Sequence, residues 1–391
     1  MMRKFWFILI ALSVLLSAGS CSRLDERTTA LNIYVRLPED GTTKADWQKE
    51  LAKESRITDL KIWVFVSNES AGSLPKGLLL GYLEPKQLNF SEGKIQKFTI
   101  PLDKDQAEAL DKVDVYVLGN TKAAGLGESY TSADYTAKEW KTVTPAELDG
   151  LVLSDDLFGI RQTGRPTNET VDDTYGLPYS AVAKGLALKG TKSELSVDNV
   201  ELVRAVSKVM FVFSQITVGG KKVVDFEITG LQLAERQIAV KEYLFNDSAN
   251  AFKIWKDAAT AENSYVGGIL NFPVDALTKE NIVGRSDPSK FAYQPGADPL
   301  AYQNDINNDI IGGGLTLGPV CYLRESDKAL QGVIKYKLGG PDEKSMTFSM
   351  TGAFARNDNW IVYFYFNNDV MSISVVNTNW IAADPVTIIG D

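Results

Sequence analysis

Leu31-Asn32-Ile33-Tyr34-Val35-Arg36-Leu37 carries an aliphatic residue at every odd position and a polar or amphipathic one at every even position. Period two is the repeat of a β-strand with one buried face. The same repeat returns at Leu60, Ile62, Val64 and Val66, where Trp63 and Phe65 make the second face apolar too. Such a strand belongs inside a sheet covered on both sides. Val113, Val115 and Val117 form a third example, ended by Gly119-Asn120. Further strands are expected over 209–213, 226–233, 333–338, 346–350, 361–366 and 371–376. Helical pattern is confined to 44–53 and 105–110, and Gly312-Gly313-Gly314 and Asn367-Asn368-Asp369 separate strands as turn-forming stretches. The expected fold class is therefore all-β, with strands arranged in β-sandwiches and few short helices. No short fixed repeat is present, which excludes a solenoid or propeller.

The chain has 391 residues, enough for two domains of ordinary size. The polar stretch 189–199 precedes a strongly apolar strand, which places a boundary near 195–203 and divides the chain into 30–199 and 200–391. At the N-terminus, Arg3 and Lys4 precede an apolar run over 5–16. That run falls short of the roughly 20 residues a spanning helix needs. With the small residues Ser17-Ala18-Gly19-Ser20 it describes a signal peptide over 1–20. Cys21 follows at once, and the arrangement resembles a lipobox, although Ala18 stands where Leu is commoner. The expectation is a lipidated Cys21 at the head of a tether over 21–29, whose Asp25-Glu26 resembles the surface-export signal of Bacteroidetes lipoproteins. An ordinary signal peptide with a chance cysteine is the alternative reading. The expected location is the cell surface, on the outer membrane.

A net charge of −9 without basic clusters argues against nucleic acid as a partner. The sequence has no histidine, so Ser-His-Asp and Cys-His nucleophile systems and His-ligated zinc are excluded. Chemistry by a carboxylate pair needs no histidine, but nothing in the sequence points to it. The expectation is a protein that is not an enzyme and carries no cofactor. Cys321 is the only cysteine besides Cys21, so an acylated Cys21 leaves no intramolecular disulfide. Asp305-Ile306-Asn307-Asn308-Asp309 opens like a calcium loop, yet Ile310 sits where the turn needs Gly and Thr316 where a bidentate Glu belongs. It reads instead as a polar surface loop. Asp247-Ser248-Ala249 matches a short O-glycosylation sequon, with Ser248 the acceptor, though so short a match also arises by chance. Tyr130 and Tyr135 could contact a sugar or simply pack beside strands.

Several segments, in order, resemble the fimbrillin superfamily of Bacteroides-type (type V) fimbriae. Ile57-Thr58-Asp59-Leu60-Lys61-Ile62-Trp63-Val64-Phe65 is similar to an early long strand, and Val115-Tyr116-Val117-Leu118-Gly119-Asn120 to a strand closing on Asn. Gly176-Leu177-Pro178-Tyr179-Ser180 resembles an I-P-M-S element with Tyr179 in place of Met. Glu201-Leu202-Val203-Arg204-Ala205-Val206-Ser207-Lys208-Val209 resembles the signature opening the second domain. Cys321-Tyr322-Leu323-Arg324-Glu325-Ser326 and Arg356-Asn357 followed by Trp360-Ile361-Val362-Tyr363 complete the series. Read for themselves, Arg204 and Lys208 are edge charges paired with carboxylates, and Leu177-Pro178 marks a strand end.

The resemblance implies two tandem transthyretin-like β-sandwich domains and a fimbrial subunit that assembles by strand exchange. A protease removes the first strand after an arginine or lysine, and a neighbour's strand fills the groove. The strand over 31–37 is the removable one here, with Arg36, Lys44 and Arg56 as cleavage positions. The stretch 361–389 supplies the closing hairpin and a donor strand. Implied partners are other fimbrial subunits, the outer membrane through the lipid, and host or bacterial surface ligands. Left uncut, the protein would be an anchor subunit. The competing reading is a monomeric surface lipoprotein that binds glycans or host ligands.

Overall fold

The computed structural model describes residues 28–36, 40–41, 57–88, 95–121, 123, 126, 129–132, 135–153, 163–164, 176–191, 193–233, 238–246, 254–265, 269–368, 370–379 and 382–383. The fold is all-β. The strands that matter are, in chain order, β1 (Thr28–Arg36), β2 (Leu60–Val66), β3 (Leu79–Leu83), β4 (Ile95–Asp103), β5 (Lys112–Gly119), β6 (Tyr179–Ala187), β7 (Glu194–Ser196), β8 (Val200–Glu201) and β9 (Val203–Arg204). Then come β10 (Ser207–Val218), β11 (Phe226–Leu233), β12 (Leu270–Phe272), β13 (Thr316–Leu323), β14 (Leu330–Leu338), β15 (Glu343–Met350), β16 (Asp358–Asn367) and β17 (Val370–Asn379).

Four sheets carry the structure. In the first, β1 lies between β4 on one side and β7 and β8 on the other. The second runs β9-β6-β5-β2-β3. In the third, β10 is flanked by β13 and β16, and β17 closes the hairpin after β16. The fourth runs β12-β11-β14-β15. Asn368, with φ 51°, turns the β16–β17 hairpin, a left-handed conformation that Asn tolerates.

The alternation seen in sequence maps onto faces. All seven residues of β2 are buried, as a strand apolar on both sides requires. The third sheet is also two-sided. Val209, Phe211 and Phe213 of β10, with Trp360, Val362, Phe364 and Phe366 of β16, pack towards the fourth sheet. Met210, Val212, Ile361 and Tyr363 pack into the apolar cluster that also holds Leu31, Ile33, Val35 and Trp63. Apolar packing thus crosses the 199/200 position without a break. The core of the C-terminal part is aromatic: Phe226 stacks on Phe366 at 3.9 Å and Phe213 on Phe364 at 5.0 Å. Gly332 makes room for Phe348, whose ring would lie 2.0 Å from a Cβ at that position.

Two sequence expectations need correction. Residues 305–309 are helical, not a loop. They belong to α3 (Pro299–Ile311), which follows the short helices α1 (Lys104–Ala109) and α2 (Pro145–Asp149). The Asp298 side chain accepts from the Leu300 amide at 3.0 Å, Pro299 sits in the first turn and Gly312 caps the end. Ile306 is buried, and the side chain of Asp309 pairs with Arg285 at 2.5 Å, so this stretch serves packing. Arg204 is not an edge charge either. It is fully buried, with its guanidinium 5.4 Å from the Tyr179 ring centroid and Nη1 donating to Asn357 Oδ1 at 3.3 Å. Lys208 is likewise buried, within β10. The expected helix over 105–110 is present as α1, and that over 44–53 lies outside the described residues.

Candidate functional site

Strand β1 is nine residues long and is paired along both edges. Its whole length is antiparallel to β4, from Thr28 opposite Asp103 to Arg36 opposite Ile95. On the other edge Ala30–Asn32 run parallel to Glu194–Ser196, and Val35-Arg36 parallel to Val200-Glu201. Leu31, Ile33 and Val35 are each 0% exposed and point into the core. Burying three such side chains stabilises by about 1.5–3 kcal/mol each. Asn32 is buried in the opposite direction and ties both neighbours together. Its Nδ2 donates to Glu194 Oε1 at 2.8 Å, and its Oδ1 accepts from Thr99 Oγ1 at 2.9 Å. Lys97, at 3.2 Å, and Asn32 hold the Glu194 carboxyl below the usual carboxylate range. A strand so placed, if withdrawn, would leave a slot lined by apolar side chains and two rows of unpaired backbone groups.

Of the residues singled out in sequence, only Arg36 among the cleavage positions is described. It ends β1, half-buried, and its carbonyl accepts from the Leu202 amide at 2.8 Å. The Arg36 carbonyl is therefore engaged by the strand's neighbour. Cys21, Lys44, Arg56 and Ser248 lie outside the described residues. Between Arg36 and Lys44, Asp40-Gly41 pair in parallel with Ala382-Ala383, which brings the backbone just after β1 beside the backbone just after β17. The strands Ser129–Ser132 and Tyr135–Glu139, which carry Tyr130 and Tyr135, form a two-stranded hairpin. Among the described residues no group of three or more His, Cys, Asp or Glu side chains is placed to hold a metal ion. No described helix is long and apolar enough to cross a membrane.

A second feature is not legible in the sequence, although motifs on most of its segments are, the 242–246 segment excepted. The scattered motifs converge on a buried seam. Asn120, at φ 57°, donates from Nδ2 to Leu177 O at 2.6 Å. Ala205 N donates to Pro178 O at 2.9 Å, and Asn357 N to Val206 O at 2.9 Å. Arg356 then spans the seam. Its Nη1 donates to Ser180 Oγ at 2.8 Å and Leu244 O at 2.7 Å, and its Nη2 to Tyr243 O at 2.6 Å. Nε and Nη2 also grip Glu325 Oε1 and Oε2 at 2.9 and 2.7 Å, a bidentate charge-assisted pair. Asn246 adds a hydrogen bond to Glu325 at 3.0 Å. Segments near 120, 180, 205, 243, 325 and 356 are thereby held at one place.

No protein-family model matches the sequence, and no curated protein matches it. Solved structures are similar over most of their length. A candidate cell-adhesion protein from Parabacteroides distasonis aligns over 90% of this chain and 97% of its own, with 15% identity and a TM-score of 0.45. One from Bacteroides eggerthii aligns over 90% and 96%, with 15% identity and a TM-score of 0.44. The tip fimbrial protein Mfa3 from Porphyromonas gingivalis, truncated at its C-terminus, aligns over 90% and 100%, with 12% identity and a TM-score of 0.43.

Proposed function

We propose that this protein is a structural subunit of a cell-surface fimbria, which joins other subunits by exchange of the first β-strand. The observation that carries the reading is the position of β1: an apolar-faced strand near the N-terminus that sits inside its sheet and fills the core with Leu31, Ile33 and Val35. Strand addition uses main-chain hydrogen bonds for affinity and alternate side-chain pockets for register. Removing β1 would supply both. The ordered run of fimbrillin-like motifs supports the same reading, and with it goes the proposal of two transthyretin-like domains divided near residue 200. Lipidation at Cys21 would hold the precursor at the outer membrane, with β1 beginning seven residues further on at Thr28. Since the Arg36 carbonyl is engaged by Leu202, Lys44 or Arg56 is the better cleavage position. The hairpin β16–β17 and the residues after it would provide the donor strand. Mass spectrometry of subunits recovered from native fibres tests the processing step. Chains beginning after Lys44 or Arg56 are expected, and assembled chains that still carry residues 28–36 would contradict it.

A further inference from the structure

Glu242 is 2% exposed and lies in the seam beside Glu325, which is 3% exposed. Both carboxyl groups converge on the single guanidinium of Arg356. Glu325 takes that guanidinium bidentately and also accepts from the Arg356 amide at 3.0 Å. Glu242 is left with less. Its Oε2 accepts from the Glu325 amide at 2.7 Å, while its Oε1 has no hydrogen-bond partner and lies 3.5 Å from Arg356 Nη2. The other charged groups acting here are Arg324, whose Nε donates to Ala239 O at 2.7 Å, and Asp358, which feels the charge of Glu325 and accepts from the Ala355 amide at 3.1 Å. Two carboxylates in a dry site with one ion-paired guanidinium between them, and Arg324 engaged with the Ala239 carbonyl, cannot both ionise cheaply. The oxygen without a partner belongs to Glu242, which marks it as the carboxyl that keeps a proton.

We propose that the Glu242–Glu325–Arg356 cluster is a proton-binding lock, which holds one proton while the seam is closed and surrenders it when the seam opens. Burial and the adjacent Glu325 push the Glu242 carboxyl well above the usual range, in agreement with this assignment. The sign follows from linkage. A carboxyl whose folded pKa is raised stabilises the fold fully below its unfolded value, and that stabilisation fades as pH rises towards the folded value. Closing the seam is therefore favoured at mildly acidic pH and weakened at alkaline pH, opposite to the usual behaviour of salt-bridged carboxylates. The elements joined are β6 through Ser180, the 242–246 segment, the end of β13 and the start of β16. The lock thus makes their packing respond to pH.

This chain suits a direct test, because it contains no histidine and few groups titrate near neutrality. The mature chain is unfolded by denaturant at pH 7 in weakly buffered solution, and the released protons are counted with an indicator dye. Asp358, pushed up to about 6 chiefly by burial, is largely ionised at pH 7, so the count reports the lock. Release of about one proton per chain is expected. The same count for Glu242→Gln should fall towards zero, and its thermal midpoint should change less between pH 6 and pH 8 than that of the unaltered chain. If Glu242→Gln does not fold, the count on the unaltered chain alone decides. No proton release on unfolding, or release that persists undiminished in folded Glu242→Gln, would overturn the proposal.

Discussion

Arg356→Ala is expected to cost about 3–5 kcal/mol, a large part of the stability of an ordinary domain. The reason is what it leaves behind. Glu325 loses its bidentate partner, Glu242 loses its nearest cation, and Ser180 together with the carbonyls of Tyr243 and Leu244 lose their donors. Each orphaned group is buried or part-buried, so water cannot fully replace the guanidinium. The damage should be partly recoverable. Arg356→Ala combined with Glu325→Gln removes the unpaired charge, and chemical denaturation of the two single variants and the double should show the double to be more stable than Arg356→Ala alone. If the two changes simply add, the pair is not coupled and the seam is held by something else.

Ile33→Asp is expected to be at least as severe, at about 5 kcal/mol or more. Two costs combine: loss of a buried aliphatic side chain, and placement of an unpartnered carboxyl in the core. Ile33 is 0% exposed in the middle of β1, with strands bonded along both edges, so the strand cannot tilt to expose it. Tyr34→Asp, one residue along on the partly exposed face, should cost far less. Thermal melts of the two variants compare the faces directly. Equal losses would mean that β1 is not seated by its aliphatic face.

Much of this architecture is legible in the sequence, and the reasons for the rest are specific. Period two alone locates β1, β2, β5, β10, β14 and β16, because alternation is a local property of a half-buried strand. Pairing is not local. Nothing in residues 28–36 announces that they run parallel to 194–196 and 200–201, or that β10 runs parallel to β16. Helix α3 was hidden by its polar content, since Asn and Asp are weak helix formers, although Asp298-Pro299 and Gly312 mark its ends in plain sight. Arg204 misled in another way. A charged residue at a strand end is usually solvated, and only the seam, with Tyr179 and Asn357 around it, explains its burial. The seam itself joins residues as far apart as Ser180 and Arg356. Most of its members sit in recognisable motifs, the 242–246 segment does not, and their meeting is tertiary structure.

The central claim is that β1 fills a slot another chain's strand can occupy. A protease site placed in the 37–56 segment allows β1 to be cut from the folded, purified protein. After the cut and gentle removal of the freed strand, a ladder of species is expected on gels run in SDS without heating, collapsing to one band on boiling. Added peptide of sequence Thr28–Arg36 should compete and shorten the ladder. A cut protein that stays monomeric at high concentration, with β1 removed and the fold intact, would show that no other chain's strand enters the slot.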